Sequence, residues 1–378
     1  MNRTILHILI LGLLTTSFQI KNEKISRLNE PTISTEIYEV IPRVIDFKDT
    51  LHCDTLLEYL SVNQIPVMYS RKILTGVCID GKCRLVNIEL YWNITGRYMG
   101  FKLPEGEFLS KTEHVQFNSN EYNRLHQLLA DPFSTLANYS IKELIPEKDS
   151  TKTEVDAIST ATIAAVLDYI VTGAVYTTYT LWHVVYGQTK HEIEKITSER
   201  LTSGIILELL NSKNQNDQIW TLNHISEKVE ISNDLQKKLL EFISSNDIYL
   251  VERALNAMKP NSLTSEFQID MVNILDSSGF LQKRLIIQKL KDVPELDKYV
   301  MKKLSGELNN LNGALVKMTL DMFHSHKIED ETVAENVAVL LSNENRYIAN
   351  QAFKYLDSKD LLNKKTFKSV EKYKKNNF

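Results

Sequence analysis

The chain has 378 residues, with 44 Lys and Arg against 48 Asp and Glu, which gives a formal net charge of −4. This slightly acidic balance argues against a nucleic-acid partner, because such a partner normally requires a clustered basic surface. The length is sufficient for two domains. After the N-terminus, no stretch of sequence is long and apolar enough to predict a membrane span.

The N-terminal residues predict a secretory signal. Arg3 gives a short basic start, an apolar run follows over residues 5–14, and small residues at 15–17 suit cleavage. We therefore expect a signal peptide over residues 1–17 and a mature protein that is periplasmic or secreted. The alternative is a buried first element of a cytosolic protein. Residues 18–46 are mostly polar, which predicts a linker or a loosely packed arm.

Residues 47–190 predict an α+β domain, in which helices accompany a small antiparallel sheet. Apolar residues alternate with polar ones along the clearest strand and share one face: Val86, Ile88, Leu90, Trp92 and Ile94. Asn118, with Glu121 three residues later, predicts the N-cap of a helix. Asp54 and Glu58 are four residues apart and predict a solvated face of another helix.

The spacing of two of the three cysteines predicts a disulfide. Cys78 and Cys83 flank Asp80 and Gly81, a favoured two-residue hairpin turn. The two cysteines then form a non-hydrogen-bonded cross-strand pair, where side chains are closest. The alternative is two free thiols on a hairpin, and Cys53 is left without a partner in either case.

Helical periodicity replaces strand signals in residues 191–378. A degenerate repeat can be aligned with a spacing of roughly 31 to 34 residues, which is in the range of helical-pair repeats. The residues taken as equivalent are Thr221, Ala254, Leu285, Met318 and Ala352. The pattern predicts an all-α, HEAT-like solenoid in which Leu255 and Leu285 are core residues. The alternative is a helical domain without repeats.

One short segment looks like a chemical site. Asp156, Ser159, Ala161 and Thr162 resemble the Asp-x-x-Ser-Gly-Ala-Thr motif of the extracytoplasmic FMN-binding domain family, and Thr160 stands where the family has Gly. In that family, a separate transferase esterifies the flavin phosphate to the final Thr. The resemblance implies that Thr162 is the attachment point for FMN.

Two aromatic residues downstream, Tyr179 and Trp182, are candidates to line the flavin ring. The alternatives are a non-covalent ligand in the same cleft, or a domain without cofactor in which these aromatics are core residues. His183 shares a helix face with Tyr179 and Tyr186, and we interpret it as a structural histidine rather than a haem or metal ligand. No catalytic motif and no metal-ligand set is assigned.

These features lead to two functional hypotheses. The first is an exported scaffold without cofactor that binds a protein partner through its helical repeats, with a degenerate flavin-binding-like domain. The alternative is an extracytoplasmic electron-transfer protein that carries FMN. The first hypothesis needs fewer assumptions, because Thr160 interrupts the motif and the sequence contains no second recognisable redox group.

Overall fold

A computed structural model describes residues 25–47, 49, 51, 53–76, 85–111, 114–145, 166–167, 169–225, 229, 231–359 and 363–377. Within these residues, a six-stranded antiparallel sheet is followed by helices, which confirms the predicted α+β and all-α composition. None of the helices in these ranges is long and apolar enough to cross a membrane.

The sheet has the strand order β1-β6-β5-β4-β3-β2, so β2 to β6 form a meander and β1 pairs with its last strand. The strands are β1 (Ser26–Leu28), β2 (Ile37–Val44), β3 (Thr55–Ser61), β4 (Pro66–Thr75), β5 (Val86–Asn93) and β6 (Tyr98–Lys102). The segment predicted as a linker or arm therefore supplies both edge strands. Polar composition gave no signal for them, because their exposed outer sides do not need apolar residues.

One face of the sheet forms a core with the first helices. The five alternating residues of β5 and its extension are all buried on this face, as predicted. Helix α1 (Ser119–Ala130) packs on β6 and on β1. Its N-terminus has the predicted capping box, in which the Asn118 side chain accepts from the Glu121 amide at 3.0 Å and the Glu121 carboxylate accepts from the Asn118 amide at 2.9 Å.

Further helices follow in the described part of the chain. They are α2 (Ile141–Leu144), α3 (Val175–Val185), α4 (Gln188–Ser198), α5 (Ser203–Leu210), α6 (Gln215–His224), α7 (Asn233–Ile243), α8 (Ile248–Ala257), α9 (Ser265–Ile274), α10 (Phe280–Lys291), α11 (Lys298–Glu307), α12 (Gly313–Ser325), α13 (Glu331–Val339), α14 (Arg346–Asp357) and α15 (Lys364–Asn377). Short 3-10 turns extend or connect several of them.

From α5 onward the helices form two rows, because each helix packs on the next helix but one. Row A contains the odd-numbered helices α5 to α15, and row B contains the even-numbered helices α6 to α14. A continuous apolar core lies between the rows. The sheet core also includes Ile205 and Leu209 of α5 and Trp220 of α6, so the first two helices of the array belong to both cores.

The N-caps of row B recur every 32 or 33 residues, at Asn214, Asp247, Gly279, Asn312 and Asn345. Four of them accept a backbone N–H of the first turn through a side-chain oxygen, and Gly279 does not. In row A the last three intervals among the N-caps Thr202, Ser232, Thr264, Asp297 and Asp330 are also 32 or 33 residues.

The caps correct the alignment of the repeat by one residue in two places. Seven residues after each row-B cap lies a fully buried residue: Thr221, Ala254, Ile286, Thr319 and Ala352. Leu255 is buried, as predicted, but the predicted core residue Leu285 is only half-buried and lies beside the core. Alignment by eye chose

Candidate functional site

The structure describes only part of the predicted flavin site. Asp156, Ser159, Ala161 and Thr162 lie outside the described residues, as do the predicted disulfide partners Cys78 and Cys83. Tyr179 and Trp182 are described, and both lie on α3.

Trp182 is 6% exposed and belongs to the core of the sheet domain. Its indole Nε1 donates to the carbonyl oxygen of Asp131 at 3.0 Å, and the Tyr186 hydroxyl donates to that of Leu129 at 2.8 Å. These two bonds attach α3 to the end of α1. The half-buried Tyr179 stacks on His183, with 4.0 Å between ring centroids, and its carbonyl oxygen lies 2.9 Å from His183 Nδ1. These aromatic side chains thus hold α3 in place.

Glu58 corrects a prediction. It lies in strand β3 rather than on a helix, and it is fully buried rather than solvated. Leu56, Glu58 and Leu60 alternate along the strand and point to the same face, which the sequence pattern already allowed. The carboxylate accepts from Arg43 Nε at 2.7 Å, from Arg200 Nη1 at 2.6 Å and from the Tyr69 hydroxyl at 3.0 Å.

Burial and the neighbouring negative charge of Glu58 raise the pKa of Tyr69 above its usual range, so the phenol remains a donor at physiological pH. Glu58 thus joins the sheet to the helices, because Arg200 follows α4.

Asp217 is a second buried carboxylate at the junction of sheet and array. It lies in the first turn of α6, and the Thr95 and Ser212 hydroxyls donate to it at 2.7 and 3.1 Å, as does the Thr32 hydroxyl. Burial alone raises the pKa of this carboxyl, but the ion pair with Arg97 and the hydrogen bonds outweigh that effect and hold it below the usual value. The sequence gave no signal for this role, because an acidic residue in a first helical turn is common on surfaces.

The exposed side of row B is here called the row-B face. Two positions are exposed in all five helices. Two residues after each cap lie Asn216, Tyr249, Leu281, Ala314 and Tyr347, and nine residues after each cap lie Asn223, Asn256, Gln288, Asp321 and Lys354. The first three residues of the second set are amides, so their side chains follow one another along the array.

A groove of about 490 Å³ opens on this face between α6 and α8, and we call it the amide groove. Its polar lining residues are Asn223, Tyr249, Glu252, Arg253 and Asn256. The Arg253 guanidinium carbon lies 3.4 Å from the centroid of the Tyr249 ring, and Nη2 donates to the Tyr249 hydroxyl. The cation–π contact and this hydrogen bond hold the guanidinium at the groove.

Two buried N–H groups at equivalent positions of the row-B face have no partner in the described part of the chain. They are Trp220 Nε1 and Arg253 Nε, each six residues after its cap. Buried donors are nearly always hydrogen-bonded in proteins, so an unsatisfied pair at a repeated position suggests acceptors that come from another molecule. Sequence analysis missed this feature, because it depends on the phase of the repeat.

Within the described ranges, no group of three or more His, Cys, Asp or Glu side chains could hold a metal ion. A scan against protein-family models and a search of the curated proteins both find no match for this chain.

Proposed function

We propose that this protein is a scaffold whose row-B face binds an extended segment of a protein partner. The two unsatisfied donors at equivalent positions, Trp220 Nε1 and Arg253 Nε, are the observation that carries the proposal. Carbonyl oxygens of a peptide would supply acceptors for both.

The amide series supports an extended partner. Packed helices lie about 8–10 Å apart, and an extended peptide advances about 3.3 Å per residue. One amide of the series Asn223, Asn256 and Gln288 would therefore meet the peptide every two to three residues. An amide side chain both donates and accepts, so it matches the N–H and C=O groups of a peptide backbone.

The packing of the rows favours the same face. Neighbouring helices of row B contact each other more extensively than neighbouring helices of row A. Closer packing along one row curves an array toward that row, as in a HEAT-like solenoid, and puts the row-B face on the inner side. An inner face can surround a bound segment and exclude water from its hydrogen bonds.

The proposal includes the predicted export, which depends on residues 1–17 and thus on sequence alone. The partner is then an extracytoplasmic protein. The flavin-binding-like segment has no part in this proposal, since the described aromatic residue Trp182 is used in packing α3 on α1.

Selection from a displayed library of random 12-residue peptides tests the proposal. We expect the wild-type chain to enrich peptides that bind with micromolar dissociation constants. The triple variant N223A/N256A/Q288A should bind the same peptides at least tenfold more weakly, because each lost amide removes up to two hydrogen bonds worth about 1 kcal/mol each.

A matched control removes three exposed amides from outside row B, in the variant N233A/N261A/N310A. It should bind the selected peptides like the wild type. Equal weakening by both triple variants, or no weakening by either, would refute the proposed face.

The FMN alternative has a separate readout. Purified exported protein that carries FMN absorbs at the flavin bands, and the peptide that contains Thr162 gains the mass of FMN. We propose a colourless protein, and a stoichiometric adduct would favour electron transfer instead.

A further inference from the structure

A second groove lies where β2 and the turn between β3 and β4 meet α4 and α5, remote from the row-B face. Its volume is about 510 Å³, which is within the range of small-molecule sites. Its apolar lining residues are Ile41, Leu60, Ile65, Pro66 and Ile205, and Arg43, Glu58 and Arg200 provide the charged lining. We call it the anion groove.

The buried Glu58 carboxylate orients two guanidinium groups in this groove. Arg43 binds Oε2 with Nε and Nη2, at 2.7 and 2.5 Å, and Arg200 binds Oε1 with Nη1 at 2.6 Å. The arginine side chains are 32% and 39% exposed, whereas Glu58 is fully buried. The nitrogens Arg43 Nη1, Arg200 Nε and Arg200 Nη2 make no hydrogen bond within the described ranges.

The charge of the cluster is not balanced. One arginine would neutralise Glu58, and the Tyr69 hydroxyl already gives the carboxylate a further donor. The second, partly exposed guanidinium therefore leaves an excess of one positive charge beside apolar walls. A cluster built only for stability would not need this excess charge, because burying unbalanced charge is costly.

Backbone strain occurs at the same groove. Gln64, which lines it together with Asn63, has a φ of 59°, a left-handed conformation that non-glycine residues rarely adopt. Residues in such conformations cluster at ligand-binding sites, where the surrounding structure holds them.

We propose that the anion groove binds a small carboxylate with an apolar body, such as a medium-chain fatty acid. The planar guanidinium groups match a carboxylate through paired hydrogen bonds. The apolar walls would bury the body of the ligand, which inorganic phosphate lacks.

Isothermal titration of the full chain with octanoate tests this site. We expect wild-type protein to bind octanoate, and R43Q or R200Q to bind it at least tenfold more weakly, because each removes charge-assisted hydrogen bonds. The control R346Q changes an exposed arginine at the start of α14 and should leave octanoate binding unchanged. No binding by the wild type, or equal binding by R43Q and R200Q, would overturn the proposal.

A measurement on the wild-type chain avoids any effect of substitution on folding. Phenylglyoxal modifies accessible arginines, and mass spectrometry locates the modified residues. Octanoate should slow modification of Arg43 and Arg200 by at least fivefold and leave that of Arg346 unchanged. Equal protection by inorganic phosphate at the same concentration would show that the groove selects a bare anion and would overturn the assigned ligand class.

Discussion

Arg97 and Asp217 form a two-point ion pair that joins the sheet to the helical array. Arg97 Nε lies 2.9 Å from Asp217 Oδ1, and Arg97 Nη2 lies 3.0 Å from Oδ2. Arg97 precedes β6, whereas Asp217 is fully buried in the first turn of α6. Thr32 donates to the same carboxylate, so the segment before β2 is held at this junction as well. The position of α6 against the sheet therefore depends on one carboxylate.

Replacing this carboxylate should destabilise the protein strongly. We expect D217N to lower the free energy of unfolding by about 3–5 kcal/mol, because it removes the charge that pairs with Arg97 and leaves a guanidinium partly buried without a counter-charge. Urea denaturation followed by circular dichroism measures this. The control D234N affects an exposed residue and should cost less than about 0.5 kcal/mol. Equal losses in both variants would contradict the role of Asp217.

The same carboxylate predicts a dependence of stability on pH. The pKa of Asp217 is lowered in the folded state, so its contribution is fully present above the unfolded value near 3.8 and is lost as the pH falls through the folded value. The difference in unfolding free energy between the wild type and D217N should be constant from pH 7 to 5 and shrink below about pH 4. A difference that grows on acidification would show that the pKa is raised instead.

Local signals predicted the elements that local contacts determine. The alternation in β5 and the capping box at Asn118 involve residues within a few positions of each other, and both were found. Glu58 was misassigned because its partner Arg200 is 142 residues away, and the same four-residue spacing from Asp54 fits a helix. The partners Arg97 and Asp217 are 120 residues apart. Sequence alone could not reveal either buried carboxylate, and the row-B face could be read only after the caps fixed the phase of the repeat.

Thiol counting tests the predicted hairpin disulfide. Cys53 is a half-buried free cysteine, and Cys78 and Cys83 lie outside the described residues. If the latter two face each other across the turn, export should oxidise them, and denatured exported protein should then contain one free thiol. Closing so short a loop should stabilise the fold by about 1–3 kcal/mol or less. The reduced protein is the control and should give three thiols. Three thiols in unreduced exported protein would show that the pairing is wrong.

The phase of the repeat can be tested with two adjacent substitutions. I286A and L285A remove the same number of carbon atoms, but Ile286 is fully buried seven residues after its cap, whereas Leu285 is half-buried. We expect I286A to cost about 2–5 kcal/mol, since the cavity lies between the two rows. L285A should cost roughly half as much or less, because solvent already reaches that side chain. Urea denaturation of the full chain compares both variants with the wild type. A larger loss in L285A would restore the alignment made from apolar residues and displace the row-B face by one residue in α10.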